Sequence, residues 1–274
     1  VKKYSKIVCA LLIFLLLFSL SGCKNKQQNK PQKKPQTSQK TELPKELSKI
    51  EEDIEKIIKE VQKIKEKTQT AQNAQKDKKD EKKEKDKNKS KQITQKTPEE
   101  KSWEQVDKLT KDIHINWNSL NPIAVKAGAK LNLINSMSAA INDFTITTNK
   151  KSKIDVLISA NNVYKYIPDL EDLFQTETPT DIKRLKFYAQ DISFKSEVQK
   201  WDEVSKDIID MNSVWKTLKP KLPKEAKNSA DKFEAGLSEL EKAVKSQNKV
   251  LIKIKADVLL QDIKSLEKTS KPKK

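Results

Sequence analysis

Glycine is the feature that most restricts this chain. In 274 residues it has three, Gly22, Gly128 and Gly236. Doubly wound α/β folds, closed barrels and phosphate-binding loops all need glycine where the backbone turns sharply or approaches a ligand. Helices joined by short polar turns do not. The apolar residues fall at helical spacing from Thr97 onward, so the fold class expected is all-α: an antiparallel helical bundle.

The first 23 residues have a different character. Lys2, Lys3 and Lys6 precede an uncharged run from Ile7 to Phe18. Twelve residues are too few for a comfortable transmembrane span but suit the apolar core of a secretory signal. The run ends in Leu20-Ser21-Gly22-Cys23, an aliphatic residue, two small residues and a cysteine. These residues resemble the lipobox of bacterial lipoproteins. The resemblance implies a signal peptide over 1–22, a diacylglycerol thioether on Cys23 and a palmitate-type lipid anchor. It places the mature protein on the outer face of the bacterial cell membrane. Two acyl chains hold a protein stably, at about 0.8 kcal/mol per buried CH₂. Cys9 lies inside the removed segment, so no thiol chemistry is expected of the mature chain.

Residues 24–96 read as a Lys-rich stalk. They hold 23 Lys and 13 Asp+Glu, which is most of the net charge of +18. Lys24 to Lys40 contains no aliphatic or aromatic residue, and Thr68 to Lys96 has almost none, so disorder is expected there. One periodic segment interrupts the stalk. Leu43, Leu47, Ile50, Ile54, Ile57, Val61 and Ile64 are spaced alternately four and three apart, which predicts a helix over about 43–66. It could self-associate as a short coiled coil, dock on the following domain or lie on the membrane.

From Thr97 to about 270 the chain reads as a helical domain. Thr97-Pro98-Glu99-Glu100 predicts a capping box. A first helix with Trp103, Val106, Ile113, Trp117 and Leu120 should end at Asn121-Pro122. The next carries Ile134, Met137, Ile141 and Phe144. A third carries Leu157, Ala160, Tyr164, Ile167, Leu170 and Phe174, kinked at Pro168. Thr178-Pro179 should open another, uninterrupted by Gly or Pro until Pro220 and therefore readable as one long helix. Two more follow, one with Phe233, Leu237 and Leu240, one with Leu251, Ile254, Val258, Leu259, Ile263 and Leu266.

The two parts of this domain resemble each other. Trp103, Val106, Asp112, Trp117, Leu120 and Pro122 recur 98 residues on as Trp201, Val204, Asp210, Trp215, Leu218 and Pro220. Met137-Ser138 aligns with Leu237-Ser238, and Ala160, Ile167, Leu170 and Glu171 align with Ala256, Ile263, Leu266 and Glu267. The reading is two duplicated three-helix halves, about 97–175 and 178–270.

Few side chains suit chemistry. His114 is the only histidine, and its counterpart is Asn212. Asp169, Glu171, Asp172, Glu177 and Asp181 cluster around one loop, beside Lys183, Arg184 and Lys186, and charge pairing is the expectation there. The tryptophans lie on apolar stripes and are expected to pack in the core rather than stack on a ligand. No catalytic residue, metal ligand or cofactor is predicted. The one arginine, Arg184, speaks against nucleic acid as a partner. The helical region resembles Gram-positive envelope lipoproteins in general character and lacks the His-rich motifs of the iron-binding ones. The function expected is a non-enzymatic interaction or scaffold module at the cell envelope. The membrane is one partner through the lipid anchor, and an anionic cell-wall polymer or another envelope protein is the second. The alternative is a lipoprotein that binds a small molecule or cation.

Overall fold

The structure, a computed structural model, describes residues 41–64 and 96–271. The signal peptide, Cys23 and most of the expected stalk lie outside the described residues. Among the described residues there is no β-strand, only one isolated parallel bridge between Glu42 and Gln175. Eight helices of twelve residues or more pack as antiparallel neighbours, with one short helix between them.

They are α1 (Lys45–Lys63), α2 (Pro98–Lys126), α3 (Leu131–Asn149), α4 (Lys153–Tyr164), the short α5 (Ile167–Glu171), α6 (Asp181–Glu197), α7 (Trp201–Leu218), α8 (Lys227–Lys245) and α9 (Lys249–Thr269). The capping box at the start of α2 is present. Glu100 N–H donates to Thr97 Oγ1 at 3.2 Å, and Thr97 N–H donates to Glu100 Oε2 at 2.7 Å. Gly128, at φ +99°, ends α2. Ala129 N–H reaches back to the Ala124 carbonyl and Gly128 N–H to that of Val125, the reciprocal pair that closes a helix C-terminus around a left-handed residue.

Two hydrophobic cores form. The first joins α1 to α2, α3, α4 and α5 and takes Phe187 and Phe194 from α6, and the second joins the other face of α6 to α7, α8 and α9. Within each, the extensive pairings are the same: first helix with second, third with fourth, and first with fourth. Buried positions also recur. Leu47, Ile50, Ile54, Ile57 and Val61 of α1 correspond, 135 residues on, to Ile182, Leu185, Ala189, Ile192 and Ser196 of α6. Ile134, Met137, Ile141, Phe144 and Thr148 of α3 correspond, 96 residues on, to Ala230, Phe233, Leu237, Leu240 and Val244 of α8. Lys151 and Gln247, also 96 apart, both take φ +51° in the turns that lead into α4 and α9.

Of the alternatives open to the helix near 43–66, docking on the following domain is the one seen. Its heptad face is buried against α2, and each of Leu47, Ile50, Ile54, Ile57, Ile58 and Val61 is at most 3 % exposed. At roughly 1.5–3 kcal/mol per buried aliphatic side chain, this burial fastens α1 to the bundle. Each core therefore draws on four long helices where three-helix halves were expected. The long helix expected through 182–218 breaks at Val198–Lys200, where Gln199 adopts φ +58° and reverses the chain without glycine or proline. Helix α2 does not stop at Asn121-Pro122. It loses only the bond from residue 122 to the Asn118 carbonyl and continues, because Ala124 one turn beyond is fully buried. Pro168 does more than kink its helix: α4 ends at Tyr164, and α5 restarts with the proline in its first turn. Helix α6 starts at Asp181, and Thr180 makes no capping bond to its backbone. In the recurrence of buried positions Met137 falls with Phe233, not with Leu237. On α9 the buried seam is Ile252, Ala256, Leu259, Ile263 and Leu266, so Leu251, Ile254 and Val258 face outward at 37 %, 54 % and 48 % exposure.

Candidate functional site

Among the described residues, charged and polar side chains gather in three places, and the first holds residues singled out in sequence. The first is the acidic loop cluster. Arg184 ties Asp169 (2.6 Å), Asp172 (2.5 Å) and Asp181 (2.9 Å) together. Lys183 sits between Glu171 (2.5 Å) and Glu51 of α1 (2.6 Å). Lys186 pairs with Glu55 of α1 and lies 5.1 Å from the Tyr164 ring centroid, while Tyr164 Oη donates to Glu51 at 3.3 Å. Burial pushes the Glu171 carboxyl up against the pull of Lys183. Burial draws the Lys183 ammonium down, but Glu51 and Glu171 outweigh it and its pKa rises. The cluster is an electrostatic clamp that fastens α1 to α6. Glu177 is exposed and lies apart from these pairs.

His114 and the tryptophans are placed by packing. His114 Nε2 is 2.8 Å from Thr145 Oγ1, and at the corresponding position Asn212 Nδ2 donates to Glu241. Trp103, Trp117 and Trp215 are 4–5 % exposed and Trp201 is half-buried. Trp117 Nε1 donates to Ser138 Oγ at 3.0 Å. Trp215 Nε1 is buried without a well-formed hydrogen bond, near Glu234, the position equivalent to Ser138.

The second place was missed in sequence. Lys195 lies between Asp191 (2.6 Å) and Asp207 (3.0 Å), with Glu203 at 3.1 Å, and Asp191 and Asp207 are 1 % and 7 % exposed. Burial, then the charge of Asp191, raises the Asp207 carboxyl to about 6. Lys195 is pushed up because its carboxylate partners outweigh burial. The signal was legible: under the 98-residue offset Asp207 replaces Leu109, an acid on an apolar seam.

The third place is a crevice of about 800 Å³ between the C-terminal end of α1 and the N-terminal end of α9. Helix α6 forms its floor with Ser193, Phe194 and Glu197, and Lys63, Lys153, Lys249 and Lys253 stand around it. An adjoining open hollow of about 170 Å³ shares Gln62, Ser193, Phe194 and Asp257 with it and is lined also by Glu55, Lys59, Lys186 and Gln190. Helix α4 packs closely on α6, whereas α9 and α1, the pair equivalent by register, stand apart. The crevice is that open contact. A second hollow of about 930 Å³ lies at the opposite end, between Pro179, Lys221 and the last turn of α9.

Among the described residues no three His, Cys, Asp or Glu side chains are grouped to hold a metal ion. No described helix is long and apolar enough to cross a membrane. Comparison with known proteins gives no match: no family model, no curated protein and no solved structure is similar to the chain.

Proposed function

We propose that the chain is a non-enzymatic lipoprotein, fixed to the outer face of a bacterial membrane through lipid on Cys23, with an internally duplicated helical unit as its interaction module. The observation that carries the anchoring is Leu20-Ser21-Gly22-Cys23 directly after a short apolar run with a basic start. The recurring buried positions and turns support duplication of a four-helix unit, with residues 65–95 inserted after α1 in the first copy where the second copy has three residues.

Docking of α1 changes the geometry of the tether. Thr41 already bonds to the folded unit, its carbonyl accepting from Gln175 N–H at 2.9 Å. Seventeen residues, 24–40, then separate Cys23 from the bundle, a reach of at most about 60 Å. Within that reach the lysines of the module can meet anionic lipid or wall polymer. The non-enzymatic reading rests on the commitments of the polar groups. His114 is bonded within the helix pair, and the acids of the loop cluster are held by Lys183 and Arg184. One observation favours the ligand-binding alternative, the crevice between α1 and α9.

Metabolic labelling with a palmitate analogue tests the anchor. The parent chain should be labelled and Cys23→Ala should not. Equal labelling of both would contradict the lipobox assignment.

A further inference from the structure

Resting on the reading of the chain as a module anchored through Cys23, we propose that the turn between α2 and α3 is a second membrane contact. It is an apolar tip with basic flanks that seats in the headgroup region of a bilayer carrying anionic lipid.

The sequence of the tip departs from the rest of the chain. Between Asp112 and Asp143 there is no Asp or Glu, and Lys126 and Lys130 are the only Lys or Arg, in a chain that is 35 % charged. The turn also displays side chains that a turn in water normally hides. Ile123, Val125 and Leu131 are 39 %, 54 % and 72 % exposed, and Pro122 is exposed beside them. Lys126 and Lys130 stand among them, exposed as well. Aliphatic residues exposed singly need no explanation, but three within one turn mark a contact.

The fold does not require these residues. The turn between α7 and α8 joins the corresponding helix pair of the second unit. At the matching positions, 98 residues on from Ile123 and Val125 and 96 on from Leu131, it carries Lys221, Pro223 and Lys227. A turn in the same place therefore forms without an aliphatic side chain at any of the three.

The place of the tip in the bundle points to the bilayer. Helices α1 and α2 run antiparallel, with Glu60 near the end of α1 at 3.4 Å from Ser102 near the start of α2. From that pair α1 extends about 22 Å back to Lys45, whereas α2 extends about 36 Å on to Lys126. The tip therefore projects at the end of the bundle where Thr41 joins the tether. Seventeen residues, 24–40, lie between Thr41 and Cys23, so lipid on Cys23 brings this end to the bilayer first. There the aliphatic side chains enter the acyl boundary, and the two lysines lay their stems along them and keep their ammonium groups with the anionic phosphates. The acids of the 169–181 loop are at this end too, but Asp169, Asp172 and Asp181 are paired with Arg184, and Asp181 also with Lys221. The other group of exposed aliphatics, Val250, Leu251 and Ile254, belongs to the first turns of α9, at the opposite end where α1 finishes.

The test puts one spin label on the full chain, held by its anchor in vesicles of phosphatidylcholine and phosphatidylglycerol. Leu131→Cys carries the label, with Cys9→Ser to remove the remaining thiol, and Ile254→Cys in the same background is the comparison. Collision with a water-soluble nickel complex reads exposure to water. Access at 131 should fall about fivefold or more below that at 254. Ile123→Asp with Val125→Asp should return it to the value at 254 with the circular dichroism unchanged, and Lys126→Glu with Lys130→Glu should weaken the shielding. Equal access at 131 and 254 on a vesicle-bound chain would overturn the tip. Spin–spin coupling between labels at 131 would assign the patch to a second copy of the chain and overturn the bilayer contact. Palmitate-analogue labelling separates this proposal from the one it rests on. A chain without label at Cys23 loses the anchored reading and the tip with it, whereas a labelled chain with an aqueous probe at 131 loses only the tip.

Discussion

Asp207→Asn should stabilise this protein at neutral pH, against the usual result of removing an ion-paired carboxylate. Asp207 and Asp191 share one ammonium, Lys195, inside a half-apolar setting, so the trio carries one negative charge too many. The environment raises the Asp207 carboxyl from its ordinary 3.8 to about 6. A group that binds its proton more tightly folded than unfolded adds stability at low pH. That contribution is fully present below about 4 and is lost as pH rises through about 6. Two units correspond to about 3 kcal/mol between those limits. Asparagine keeps an oxygen for Lys195 and offers Asp191 an N–H donor, so it mimics the protonated acid at every pH. Urea unfolding from pH 4 to 8 reads the difference directly. The variant should match the parent near pH 4 and exceed it by about 2–3 kcal/mol at pH 7.5. Other titrating groups, Glu171 among them, cancel in the subtraction. A variant less stable than the parent at pH 7.5, with a parallel pH profile, would refute the argument and make the trio a plain stabilising salt bridge.

Three further outcomes follow from the same structure. Replacing residues 65–95 by five Gly/Ser residues should leave the fold intact, because Glu60 and Ser102 already touch at 3.4 Å across the connection. It should raise the unfolding free energy by about 1.5 kcal/mol through loop-closure entropy, measured by urea titration. Ile57→Asp, which puts a charge at a fully buried position of α1, should cost more than about 3 kcal/mol and expose α1 to limited proteolysis. His114→Ala should cost about 1 kcal/mol, the worth of one half-buried hydrogen bond to Thr145, measured by urea titration.

The helical seams were legible because each is set by local spacing. The α2 face from Trp103 to Leu120 and the α8 face from Ala226 to Val244 are buried residue for residue. The Thr97 cap was legible for the same reason, since its partners are three residues apart. What spacing cannot reveal is the partner of a seam. The heptad of α1 suited self-association, a membrane or a neighbour equally, and only the matching apolar face of α2 decides among them. Turns without glycine were also hidden. Lys151, Gln199 and Gln247 carry positive φ that their side chains do not advertise, so the α6–α7 break reads in sequence as continuous helix. Helix α9 misled for a different reason. It has two apolar stripes, and the one read from sequence began on the exposed side with Leu251, Ile254 and Val258. The clamp between Lys183 and Glu51 joins residues 132 apart, and no pattern in either segment marks the other.

The most direct test of the account is amide hydrogen exchange in α1. If α1 is the first helix of a four-helix unit equivalent to that of α6, its amides from Leu47 to Val61 should be protected as strongly as those from Ile182 to Ser196. Both sets should exchange only through global unfolding. Exchange of the α1 amides at the rate of a free peptide, beside full protection of α6, would contradict the account and return α1 to the tether.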